Sequence, residues 1–233
     1  MALTEKLIAI ANAIRGKTGK TDEMTLDQMA VEIAGIQAGG GQWSTDDIAT
    51  GAEPTGELTL NQLAIAEYAF YGRSGITKVT ANNCGFSQYA FSKCTGITEV
   101  EANSCTSGMN YHFSNCTALK KAKWGVGGTG GGSFNGCTNL EMIDCGENFT
   151  YIGVNFAVSC KNLKTLILRK PNSPVNFANP NALNGTPFAA NGEGGTAYVP
   201  AALIGAYQQA TNWSTLYAAG TCNFVAIEGS AYE

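Results

Sequence analysis

Between Phe70 and Leu163 the apolar positions recur in one pattern, Ala-Phe-x-x-Cys-x-x-Leu-x-x-Val, with substitutions. Its anchor positions, Phe70, Phe91, Phe113, Phe134 and Ala157, advance by 21, 22, 21 and 23 residues. A unit this small cannot bury its own apolar face, so successive copies must stack. The pattern predicts a solenoid of about five rungs with a parallel sheet. Within each rung, Leu-x-x-Val-x-Ala is the strand, and its first, fourth and sixth residues face the core. The third position faces solvent and reads Lys78, Glu99, Lys121, Met142, Thr165 across the rungs; the fifth reads Thr80, Glu101, Lys123, Asp144, Ile167. Aligned rungs therefore place Glu99 between Lys78 and Lys121, and Glu101 between Thr80 and Lys123. Such cross-strand pairs contribute about 0.2–1 kcal/mol each. A face that neutralises itself in this way is not a strongly charged ligand site. Met142 and Ile167, with the neighbouring Trp124, would form an apolar end to it.

The flanks follow other periods. Leu3, Leu7, Ile10, Ala11 and Ile14 have helical spacing, and Gly16 provides a stop. Thr25 reads as an N-cap before a second helix carrying Leu26, Met29, Ala30, Ile33 and Ile36, closed by Gly39-Gly40-Gly41. Two short amphipathic helices hold too little core to stand alone. They should pack on a neighbour, on their own copies or on a docking partner, through Leu7, Ile10, Ile14, Met29 and Ile33. After Pro171 the repeat breaks down. A strand over 196–199, a helix opened by Pro200 and a strand over 223–227 form a strand–helix–strand cap for the open end. The expected organisation is a helical module (1–38), a glycine-rich linker and entry segment (39–57), the repeats (58–170) and a capping region (171–233). The fold class is an α/β solenoid.

Composition sharpens this picture in three places. The 29 glycines suit a chain in which each rung needs turns with positive φ. A net charge of −4, with 14% charged residues, favours neither nucleic-acid nor membrane-surface binding, and no run reaches the roughly 20 apolar residues of a membrane span. Met1 to Arg15 lacks the features of a signal peptide, so synthesis and residence in a cytoplasm are expected. Of the eight cysteines, Cys94, Cys116, Cys137 and Cys160 share one column, with Arg73 in the first copy, and Cys84 and Cys105 share another. A column of small buried hydrophobes accounts for them. Disulfides within a column would have a poor torsion, and no Cys-x-x-Cys clip supports zinc.

Candidate chemistry is sparse. Gly125-Val-Gly127-Gly-Thr-Gly130 matches a dinucleotide fingerprint by letter, but it fills a connection between a strand and the next anchor, where no helix receives a pyrophosphate. Gly16-Lys17-Thr18 follows a helix rather than a strand and reads as a turn. His112 stands four residues from Cys116, yet no third group orients a nucleophile–base pair. No catalytic, cofactor or metal residues are assigned, and the chain is not expected to be an enzyme. Trp124 has two readings: a contact residue beside the glycine-rich loop 125–132, or a core residue at the position held by Ala81 and Ala102.

A period in the low twenties is that of leucine-rich repeats. Ile65-Ala-Glu-Tyr-Ala-Phe70 and Tyr89-Ala-Phe-Ser-Lys-Cys94 resemble the BspA-type (Treponema-type) leucine-rich repeat. Leu7-Ile-Ala-Ile-Ala-Asn-Ala-Ile-Arg-Gly-Lys-Thr-Gly19, followed by Met24-Thr-Leu-Asp-Gln-Met29, is similar to a module that opens tail and structural proteins of phages infecting Gram-positive bacteria. Ala197-Tyr-Val-Pro-Ala201 with Ala210-Thr-Asn-Trp-Ser214 resembles the end of such phage repeat proteins. The combination implies a virion-associated tail protein, made in the host cytoplasm. Its repeats would adhere to a host cell-surface protein or glycan, and its N-terminal module would join other virion proteins or its own copies. The alternative is a bacterial BspA-like surface adhesin or a general protein-interaction scaffold. Trp124, Met142 and Ile167 are the expected adhesion residues.

Overall fold

A computed structural model describes residues 55–61, 64–105, 107–108, 110–125 and 131–233. The expected helices over 1–38, the residues Leu7, Ile10, Ile14, Met29 and Ile33, most of the linker and the loop 126–130 lie outside the described residues. In chain order the elements are β1 (Gly56–Asn61), β2 (Ala64–Ile65), β3 (Ile76–Asn82), β4 (Gly85–Phe86), β5 (Glu99–Ala102), β6 (Ser107–Gly108) and β7 (Lys121–Trp124). They continue as β8 (Met142–Cys145), β9 (Tyr151–Ile152), β10 (Thr165–Leu168), β11 (Asn176–Phe177), β12 (Gly195–Val199), α1 (Ile204–Gln209), α2 (Trp213–Ala218) and β13 (Cys222–Ala226).

The main sheet is parallel throughout and runs in chain order, β1-β3-β5-β7-β8-β10-β12-β13. Its register is the one the columns imply. Glu99 pairs with Lys78 and Lys121, and Glu101 with Thr80 and Lys123. The ion pairs are partly diagonal: Lys78 reaches Glu99 at 3.4 Å and Glu101 at 3.3 Å, and Lys123 stands 3.8 Å from Glu101. Five of its eight strands, β3, β5, β7, β8 and β10, belong to the five anchored rungs, and the entry strand and both strands of the C-terminal region add to the same sheet. The return side of each rung is a tight turn; among the described residues α-helix is confined to the two six-residue elements α1 and α2. The fold is thus a β-solenoid with a helical cap rather than an α/β alternation.

Opposite the sheet, the turns form a second ladder. The amides of Tyr68, Phe70 and Gly72 donate to the carbonyls of Gln88, Ala90 and Ser92 in the next turn, while those of Ala69, Tyr71 and Arg73 donate within their own turn. Alternating axial and local bonds gives each of these six amides a partner. It requires left-handed backbone two residues before and two residues after each anchor. The first column holds Tyr68, Tyr89, Tyr111, Gly132 and Asn155, and the second holds Gly72, Lys93, Asn115, Gly136, Ser159 and Gly185, all with φ between 56° and 77°. Glycine alone fits there without strain.

Between the ladders lies a core built of columns. The anchors Phe70, Phe91, Phe113 and Phe134 stack in sequence with nearly parallel rings, the first pair 4.7 Å apart. Ile76, Ile97, Leu119, Leu140 and Leu163 fill the next column without exposure. The cysteine column lies between them, each thiol donating to an anchor carbonyl one turn back: Cys94 to Phe70 (2.8 Å), Cys116 to Phe91 (3.2 Å), Cys137 to Phe113 (3.0 Å) and Cys160 to Phe134 (3.0 Å). All eight cysteines are buried free thiols. In the fifth rung the ring moves back one residue. Phe156 takes the place of Ser133 in the turn ladder and packs edge-on against Phe134, filling space that Ala157 leaves.

The repeat does not stop at Pro171. β11 pairs with β9, and Ala157 and Ser159 donate to the carbonyls of Ala182 and Asn184, so the coil makes a further turn with Leu183 in the anchor column. The cap then closes this end. Val175 donates to the Tyr207 hydroxyl and accepts from the Trp213 indole, and Asn212 donates to the Phe177 carbonyl. Finally the C-terminal tail returns over the outer face. Arg169 grips Asp144 through two bonds, at 2.7 and 3.0 Å, and donates to the Tyr232 carbonyl, while Tyr232 packs on Tyr198.

Two predictions follow from this core. Burial raises the Cys137 and Cys160 thiols well above their ordinary range. Native protein should therefore resist a thiol reagent at Cys94, Cys116, Cys137 and Cys160 at pH 8, and all four should react once urea unfolds it; rapid labelling of all four in the native state would overturn the assignment. His112 is fully buried among Phe86, Trp124 and Ser133, and burial lowers its pKa to about 4. Because the folded value is depressed below 6.5, the unfolded chain binds a proton that the folded chain refuses as pH falls. Unfolding free energy should drop by about 2 kcal/mol between pH 7.5 and 5 on this account. Urea titrations of the His112→Ala chain should lack that part of the slope.

Candidate functional site

The expected adhesion residues do not form a surface. Trp124 is fully buried at the end of β7, in register with Ala102 and Cys145, and packs against Phe86, His112, Phe113 and Phe134. Small residues on both neighbouring strands make the room it fills, so it is the core counterpart of Ala81 and Ala102. Ile167 points outward by strand alternation yet is also fully buried. It lies between Asp144, which is clamped by Arg169, and Tyr198, which lies under Tyr232. The returning tail converts that outward position into an interior one. Met142 is half-buried and lines a groove of about 590 Å³ with Lys121, Lys164 and Tyr232. The three are therefore not brought together as an accessible patch.

His112 and Cys116 are not a nucleophile–base pair either. The Cys116 thiol donates to the Phe91 carbonyl, and His112 Nδ1 faces Ser133 Oγ at 3.4 Å. Among the described residues no cluster of three or more His, Cys, Asp or Glu could hold a metal ion. Gly125, the first glycine of the fingerprint-like run, packs its Cα against the Asn103 backbone, where a Cβ would clash with the carbonyl oxygen.

The surface that stands out lies on the turn side. Tyr68, Tyr89 and Tyr111 occupy successive places in the first left-handed column, with φ of 58°, 56° and 58°. Their rings stack at 5.1 and 5.3 Å with interplanar angles of 14° and 11°. Left-handed backbone costs a residue with a Cβ about 1–2 kcal/mol. The fold bears that cost three times in a row with bulky aromatics, at a column where Gly132 and Asn155 occupy the later rungs. The stack ends at Gly132, which carries no ring, and the Tyr111 ring occupies the space beside its Cα.

Around the stack lies a groove of about 360 Å³. Tyr71 stands edge-on to Tyr68 at 5.5 Å, and the Lys93 ammonium sits 5.2 Å over the Tyr71 ring. The Tyr71 side chain beneath it raises the Lys93 pKa, so this cation stays charged. Behind the rings Ser92 and Ser114 bond to each other at 2.8 Å and tie the two turns together. Asn115 and Asn135 complete the lining, which contains no carboxylate. Tyr68 and Tyr71 are 50% and 38% exposed, whereas Trp124 has no exposure at all. The site is a rigid row of aromatic edges and phenol hydroxyls, with one open ring face at the Tyr68 end. The sequence signal for it is tyrosine recurring two residues before three successive anchors.

Comparison with known proteins places this geometry. The family profile of the BspA type leucine rich repeat region matches residues 61–183 in six copies, one more than the five anchors, which agrees with the additional turn. Among curated proteins none matches the sequence. A leucine-rich repeat protein from Bacteroides ovatus ATCC 8483 is 31% identical over 51% of this chain and 32% of its own, with a TM-score of 0.43. The leucine-rich repeat protein of T. pallidum is 16% identical over 74% of this chain and 81% of its own, with a TM-score of 0.43. The pneumococcal vaccine antigen PcpA is 16% identical over 75% of this chain and 42% of its own, with a TM-score of 0.53, a likeness of fold. This chain thus spans about a third of the length of the Bacteroides protein and under half that of the pneumococcal antigen. With a profile match over more than half its residues, the chain belongs to the BspA-type leucine-rich repeat family.

Proposed function

We propose that this protein is a virion-associated phage tail protein whose repeat solenoid adheres to the surface of the host cell. Solenoids of this family are interaction scaffolds, and stacked turns present a broad, rigid face. The observation that carries the adhesive role is the tyrosine strip. Tyrosine offers large, amphipathic contact area at low entropic cost, and here the stack fixes the rings before any partner arrives. The tail assignment draws support from the resemblance of the segment 7–29 and of the C-terminal segments to phage structural proteins. On this reading residues 1–38 attach the protein to other tail proteins or to its own copies through Leu7, Ile10, Ile14, Met29 and Ile33. A second reading, a bacterial BspA-like surface adhesin, is favoured by the family match taken alone. Both readings use the solenoid for binding, and they differ in where the protein resides.

Mass spectrometry of purified phage particles separates them: the chain should be present at the stoichiometry of a tail component, and absence from virions would favour the adhesin. Deleting residues 1–38 should lower the oligomeric state or virion incorporation while the far-ultraviolet circular dichroism of the repeats is retained. An unchanged assembly would remove the attachment role from this segment.

A further inference from the structure

We propose that the tyrosine strip is a glycan-binding site, with a sugar ring stacking on the open face of Tyr68 and continuing the ring ladder by one step. This rests on the adhesive reading above and names its ligand class. Three observations on the strip select a sugar. The first is the open end of the stack. One face of Tyr68 is covered by Tyr89 at 5.1 Å, the ring remains half exposed, and Tyr71 stands beside it at an interplanar angle of 70°. A ring laid on that face meets an apolar floor and an aromatic side wall, which suits the C–H face of a pyranose.

The second observation is the polar lining. Phenol hydroxyls and, two and three rungs further along the groove, the amides of Asn115 and Asn135 can each donate and accept, as successive units of a hydroxyl-rich chain laid along the strip require. Among the described residues of the lining Lys93 is the only cation, and it is already engaged over Tyr71; Glu67, beside Tyr68 in the chain, lies outside the lining. A polyanion would need more positive charge. The third is size. A groove of about 360 Å³ lies at the small-ligand end of the range for binding clefts. The repeat of the rings at 5.1 and 5.3 Å further offers a chain of sugars several equivalent hydroxyl contacts in a row.

Backbone strain also supplies a clean variant. Because Tyr68 is left-handed, Tyr68→Gly removes the ring while placing the one residue that takes this conformation freely, so the turn should still form. The full chain, the Tyr68→Gly chain and a control, Tyr217→Ala, altered at an exposed tyrosine on α2 outside the strip, would be bound to a panel of Gram-positive cell envelopes. Each envelope would be used untreated, oxidised with periodate to cleave vicinal diols, or digested with protease. The expected result is binding that survives protease, is abolished by periodate, falls at least tenfold in Tyr68→Gly and is unchanged in Tyr217→Ala. Binding lost to protease but spared by periodate would overturn the glycan proposal and leave the adhesive reading standing. Periodate-sensitive binding that Tyr68→Gly retains in full would show a glycan site elsewhere and overturn the strip. If the full chain binds no untreated envelope, the adhesive reading fails and the glycan proposal fails with it.

Discussion

Everything in this molecule depends on two parallel ladders of backbone hydrogen bonds, one along the sheet and one along the turns. Parallel strands lie about 4.8 Å apart, and the turn ladder holds the opposite side of each rung at the same advance. With both sides pinned, a residue at a given place in one rung meets its equivalent in the next. Phenylalanines then stack on phenylalanines and tyrosines on tyrosines, and a cysteine thiol reaches the anchor carbonyl one turn back. The ladder also has a steric demand. Two positions in each of the five anchored turns are left-handed, and the chain fills them more often with residues that carry a side chain than with glycine.

Because columns are fixed, changes of size are compensated within one rung of where they occur. Trp124 is tolerated because Ala102 and Cys145 flank it and because the return side offers rings on several faces. Phe156 replaces the missing ring of Ala157 from the adjacent position. The same logic has a cost at His112, which occupies a small-residue column and carries its imidazole into the buried core beside the Trp124 indole. Among the described residues neither His112 Nε2 nor Trp124 Nε1 has a hydrogen-bond partner. Burial of this imidazole, just behind Tyr111, couples stability to pH.

The columns were legible in the sequence because apolar spacing reports them directly: the anchors, the cysteines and the Lys78–Glu99–Lys121 register all lie where the repeat puts them. What was not legible required information that spacing does not carry. Ile167 is outward by alternation, and only a tail arriving 63 residues later, through Arg169 and Tyr232, makes it interior. The turn after Pro171 hides because Leu183 and Thr186 replace phenylalanine and cysteine, and α2 is too short to show a helical period. The tyrosine strip was visible as letters at 68, 89 and 111. A left-handed column is expected to hold glycine or asparagine, so the significance of tyrosine there emerges only with the dihedral angles.

The turn ladder is the feature on which this account stands, and amide hydrogen exchange tests it residue by residue. In native protein the amides of Phe91, Phe113, Phe134 and Ala157, which donate axially from turn to turn, should exchange as slowly as the sheet amides of Val100, Ala122 and Ile143. Equal protection on both sides, lost together on unfolding, is the predicted result. Slow sheet amides beside turn amides that exchange at rates typical of exposed loops would contradict it, and the strained tyrosine column would lose the constraint that holds it in place.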